Sequence, residues 1–126
     1  VWVVFDKDEY NDEQFNSAID NCNYNVAWSN PNFELWLLAH FKKVSRYVLK
    51  DDVLQELSKE FQKKGFGDYT KNDTNIFDKV TGEGKLHTAI KNCKYMEELN
   101  KDGQASQRNP MTKVYKIVEG LKEYLE

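Results

Sequence analysis

Val1–Glu9, VWVVFDKDE, is the stretch from which the fold is read. Its first five residues are apolar strand formers, so the segment reads as a buried strand that stops abruptly in carboxylates. Asp6, Asp8 and Glu9 then stand at the carboxyl end of a strand, where open α/β sheets place their ligands. Asp6 and Asp8 are two residues apart and share one side if the strand continues. Like charges that close resist joint ionisation unless a cation sits between them. Hard oxygen donors suit Mg²⁺ or Mn²⁺. Asp and Glu are also ordinary residues of turns and first helical turns, so DxD read alone leaves a structural role open.

Working outward, Asn11 or Asp12 can cap a helix running to about Cys22, with Phe15, Ala18, Ile19 and Cys22 as its apolar stripe. Tyr24–Ser29 is a short strand with Val26 and Trp28 on one face. A strand, a crossover helix and a second strand make a right-handed βαβ unit with parallel strands. Asn32–Val44 reads as the most hydrophobic helix of the chain, buried on several sides. Glu34 lies in its first turn, at the sheet edge that carries Asp6 and Asp8 if the two strands are close, so these carboxylates can converge on one crevice. Stabilising a helix N-terminus is the plainer role for Glu34, and His40 reads as a core or helix-end histidine.

The first strand already looks central, and a central strand needs neighbours on both edges. With one further convincing strand in the chain, the expectation is that earlier strands precede Val1, or that a partner or second copy of the chain supplies the sheet.

From Ser45 the chain turns polar and helical. Asp51 or Asp52 caps a helix through about Lys64 with Val53, Leu54, Leu57 and Phe61 inward, and Gly65 closes it. Phe66–Asn75 is a loop with Phe66 and Tyr69 as anchors. A short helix near Ile76–Val80 precedes a longer one near Lys85–Asn100. Between them Gly82-Glu83-Gly84-Lys85-Leu86 lacks the spacing and hydroxyl of a phosphate loop. Asn109 and Pro110 are placed to start a last helix with Met111, Val114, Tyr115, Val118, Leu121 and Leu125 as its stripe.

The 126 residues make one domain, with a βαβα core over 1–44 and a helical portion over 45–126. Hydrophobic residues at 40% favour a folded chain over disorder. A net charge of −3 gives no global attraction to nucleic acid, so such binding needs a local basic patch or a metal. Cys22 and Cys93 stand far apart outside any CxxC or zinc-type cluster, which reads as two reduced thiols of a cytoplasmic protein, with a single disulfide as the alternative. The longest apolar run, Leu35–Ala39, is far too short to span a bilayer.

Three segments in order, VWVVFDKDE, VAWSNPNFELWLLAHF and RNPMTKVYKIVEGL, resemble the RloB-like family of prokaryotic proteins. The SNPxFExWLLxHF segment is the most specific part, reinforced by the DxD strand and the NPxTxVYxxVE helix. The resemblance implies a Toprim-like (Rossmann-like) α/β fold, a parallel sheet portion with a helical carboxyl-terminal half. It also implies a Mg²⁺- or Mn²⁺-dependent nuclease acting on DNA or RNA in phage defence or abortive infection at restriction-modification loci, together with an ATPase partner. Asp6 and Asp8 match the family's DxD, and Glu34 its NPxFE glutamate, which together would form the metal site. The glutamate expected on an earlier strand has no counterpart here, its place lying before Val1. Arg108 and Lys113, around the start of the last helix, are the phosphate contacts to expect, although each also reads as ordinary surface charge. A non-catalytic module docking the ATPase through its carboxyl-terminal helices is the alternative.

Overall fold

The βαβ pattern forms as its residues predict. In the computed structural model, which describes residues 1–82 and 85–125 without the side chains of Glu9 and residues 122–125, β1 is Trp2–Asp6, α1 is Asp12–Asp20 and β2 is Asn25–Asn30. The strands pair in parallel, Asp6 opposite Ser29. Asn11 caps α1 by accepting the Gln14 backbone N–H at 2.8 Å, and the Gln14 side chain returns a bond to the Asn11 N–H. Phe15 carries the helix onto the sheet, its ring meeting Trp28 edge-on at 5.8 Å with Met111 behind.

The remaining helices are α2, Glu34–Ala39; α3, Lys50–Lys63; α4, Ile76–Thr81; α5, Lys85–Leu99; and α6, Tyr115–Leu125. A two-residue strand β3, Met111–Thr112, pairs antiparallel with β2. The result is a mixed α/β fold with sheet order β1-β2-β3 and a larger core built from α2, α3 and α5. Glu83 and Gly84 of the TGEGK segment lie outside the described residues.

Four expectations are corrected. β1 is not a buried central strand among the described residues. It pairs with β2 alone, and Trp2 and Val4 on one face are exposed while Val3 and Phe5 on the other are half-buried. The strand also stops at Asp6, and Lys7–Glu9 form a 3₁₀ turn, so Asp6 and Asp8 do not share a strand face.

The helix expected over 32–44 spans only Glu34–Ala39. His40 ends it, because its Nδ1 bonds the carbonyls of Trp36 at 3.0 Å and Leu37 at 3.2 Å, the acceptors that the next helical turn would use. The last helix starts at Tyr115 rather than at Pro110. Asn109 does not cap it, since its carboxamide holds both backbone groups of Val48, and Met111 and Thr112 are taken up by the third strand.

Candidate carboxylate site

Asp6 ends β1 beside the Phe33 backbone N–H, which donates to its carboxylate. Burial raises the Asp6 pKa above its ordinary value. The Phe33 bond opposes this, the neighbouring Asp8 and Glu34 raise it further, and Lys71 lowers it. Asp6 is therefore the carboxylate that feels both of the others.

Glu34 is 4% exposed at the start of α2. Its Oε2 accepts the Tyr69 hydroxyl at 2.9 Å and lies 3.9 Å from Lys71 Nζ. Burial, and then the Glu34 charge and hydrogen bond, push the Tyr69 phenol far above its usual range, so Tyr69 stays a donor. Tyr69 is held there by aromatic packing. Phe41, Phe66 and Tyr69 each meet the Phe61 ring edge-on, at 5.9, 5.7 and 5.8 Å. The loop after α3 is thus pinned by its two expected anchors, and one of them reaches the site.

Asp8 turns the other way. Its backbone N–H donates to the Pro31 carbonyl at 2.9 Å, and its side chain, 8% exposed, places Oδ2 at 3.0 Å from Lys50 Nζ. Its other oxygen, Oδ1, is buried with no hydrogen-bond partner among the described residues. This side chain lines a cleft of about 530 Å³ with Asn30, Tyr47, Lys50 and Asn109. Both side-chain atoms of Asn32, in the turn between β2 and α2, are likewise buried without a partner. Burying unpaired polar atoms costs about 1–3 kcal/mol each, and turns that keep them are commonly sites of contact with a ligand, an ion or water.

Arg108 and Lys113 come together elsewhere, over the Trp28 ring at 5.5 Å each. They line a second cleft with Asn16 and Gln104, which shares no lining residue with the Asp8 cleft. Arg108 Nε donates to the Asn100 carbonyl at 2.6 Å, and Lys113 lies 3.5 Å from Glu97.

A family model, that of the RloB-like protein, matches residues 1–121. The chain belongs to the RloB-like family. No curated protein and no solved structure matches it. In this RloB-like chain no described helix is long and apolar enough to cross a membrane.

The donor chemistry of Asp6, Asp8 and Glu34 fits a hard cation, and the orphaned Asp8 oxygen is an available ligand atom. Among the described residues, however, no three His, Cys, Asp or Glu side chains stand close enough together to hold one ion. The charges of Asp8 and Glu34 act on Asp6, but each of the two is paired with a lysine instead. Local sequence pattern carried the carboxylates but not their partners. Lys50, Tyr69 and Lys71 sit in no motif, and only the aromatic content of the loop after Gly65 marked Tyr69 at all.

Proposed function

We infer that this RloB-like chain is a Toprim-like, Mg²⁺- or Mn²⁺-dependent nuclease component that cleaves phosphodiester bonds of DNA or RNA in phage defence, beside an ATPase partner. The observation that supports the reading is Asp6 at the carboxyl end of β1, near enough to Asp8 and Glu34 for their charges to act on it. The partner and the defence role rest on the resemblance of the three motifs.

A divalent cation, when bound, supplies polarisation of the phosphate and activation of water. Asp6 and Asp8 would hold it, with Asp8 offering Oδ1, and Glu34 would join the donor set once Asp8 and Glu34 leave Lys50 and Lys71 and the three side chains draw together. Tyr69 orients Glu34 by donating to its Oε2. Lys50 and Lys71 balance the carboxylates and are placed to meet substrate phosphate once released from them.

The test is Mn²⁺ binding and cleavage of labelled single- and double-stranded DNA and RNA by the protein and its Asp6→Ala and Asp8→Ala variants. Each variant should lose Mn²⁺ binding and lower cleavage by more than the roughly 10–100-fold that loss of an outer-shell partner costs. Unchanged Mn²⁺ binding and cleavage in both variants sinks the reading.

A further inference from the structure

Phe41–Lys50, FKKVSRYVLK, carries Lys42, Lys43, Arg46 and Lys50 and no acid, in a chain whose net charge is −3. In space Glu56 faces Lys42 and Arg46, and Asp8 pairs with Lys50, so the outward positive charge of the segment rests on Lys43 and Arg46. An acidic chain binds nucleic acid through local positive charge of this kind. Because His40 stops α2, residues 41–49 form an irregular strap between α2 and α3 rather than a continuing helix, and Lys50 opens α3. Val44 and Val48 insert into the core, and Lys43, Arg46 and Tyr47 face solvent.

The strap is fixed at its base. Asn109 Oδ1 accepts the Val48 N–H at 3.0 Å, its Nδ2 donates to the Val48 carbonyl at 2.8 Å, and the same Nδ2 reaches Asn30 Oδ1 at 3.2 Å. Tyr47, one residue earlier, is therefore held at the mouth of the Asp8 cleft, with 68% of its surface in water. Lys42 is paired with Glu56 at 2.9 Å, Lys43 lies over the Tyr95 ring at 4.3 Å and Lys50 meets Asp8. Arg46 forms no ion pair among the described residues, its guanidinium reaching the Tyr47 carbonyl at 3.5 Å.

We propose that this strap is a rail for single-stranded nucleic acid. Tyr47 stacks an unpaired base at the mouth of the cleft, Arg46 and Lys43 hold the flanking phosphates, and the strand runs on past Lys50 to Asp8. An exposed ring beside a guanidinium on a rigid backbone suits a strand whose bases are free to stack, and a duplex offers it none. The direction of the strand toward Asp8 rests on the nuclease reading above; binding by the strap does not.

The experiment measures fluorescence anisotropy of labelled oligothymidylate, oligouridylate and a duplex of equal length, with chelator present so that cleavage plays no part. Tyr47→Ala should weaken single-strand binding about 5–150-fold, the span of one lost base stack, while Tyr47→Phe binds like wild type. Arg46→Ala should lower the dependence of log affinity on log salt by about 0.7, one phosphate contact on a single strand. Both side chains are exposed, so an unchanged melting temperature shows that the fold is intact. A preference for oligothymidylate or oligouridylate assigns the rail to DNA or RNA.

The rail is wrong if Tyr47→Ala and Arg46→Ala bind the single strands like wild type, if the duplex binds as tightly as they do, or if vesicles containing phosphatidylserine are bound in their place. Loss of cleavage in Asp6→Ala with unaltered binding in Tyr47→Ala would leave the nuclease reading standing and the rail overturned. Weak binding in Tyr47→Ala with cleavage unaffected by Asp6→Ala or Asp8→Ala would do the reverse.

Discussion

His40 is 1% exposed and ends a helix with one ring nitrogen while the other has no hydrogen-bond partner among the described residues. Nδ1 must carry the proton, because both of its partners are carbonyls, and Nε2 is then the site where acid would place a charge. Burial lowers the His40 pKa below its ordinary value of 6.5. The two carbonyl bonds resist this, and nearby Lys85 adds to it. A depressed histidine pKa contributes stability that is present above pH 6.5 and lost as pH falls through the lower folded value. Urea unfolding at stepped pH should show stability declining as pH falls below 6.5. His40→Asn keeps an amide donor near the Nδ1 position and should remove this share of the slope. Equal slopes in wild type and His40→Asn would show that His40 does not titrate with folding.

At the scale of elements, the carboxamide of Asn109 joins the strap, the end of β2 and the chain leading to β3. Asn109→Ala leaves a buried N–H and a buried carbonyl of Val48 without partners, at about 1–3 kcal/mol each. The urea midpoint should fall and the Val48 amide should exchange with solvent faster. Protection at Val48 equal to wild type would mean that the strap is held by Val44 and Val48 packing alone. Asn109 also marks how far sequence reaches. The capping of α1 by Asn11 was legible because a cap and the helix it serves are neighbours in the chain, and the βαβ unit because its periods change within a few residues. Asn109 precedes Pro110 and an apolar stripe, so local pattern makes it a cap, yet its partner Val48 is 61 residues away. The same holds for Glu34. Its place at a helix start could be read, but the Tyr69 hydroxyl that orients it is 35 residues off and carries no periodic signal.

Across the whole molecule, two cores meet at β2. Trp28 and Phe15 pack on the α1 side, and Trp36 lies in the helical core. A polar seam ties the third strand between them, Ser29 and Thr112 sharing a hydroxyl bond of 2.8 Å, both fully buried. Satisfied polar pairs of this kind fix one arrangement of the parts rather than adding much net stability. The two cores should therefore unfold together. Phe15→Ala removes a ring that is 0% exposed and should cost about 3–5 kcal/mol, against the roughly 5–15 kcal/mol that holds a domain together. Tryptophan fluorescence and far-ultraviolet dichroism should shift to lower denaturant as one transition. Two separated transitions would show that the sheet-side core folds apart from the helices.

In the proposed cation site, the two lysines that meet Asp8 and Glu34 would impose a selectivity of their own. Each ammonium is tethered, and a tethered group competes at an effective concentration of about millimolar or higher. A cation entering that site from solution would have to displace them, and a monovalent ion offers no more charge than the lysine it replaces. A divalent ion offers twice as much and would send a positive arm back toward the mouth of the site. Arrival of the ion and the appearance of a handle for an anion would then be one event, so that occupancy by the first is announced electrostatically to the second.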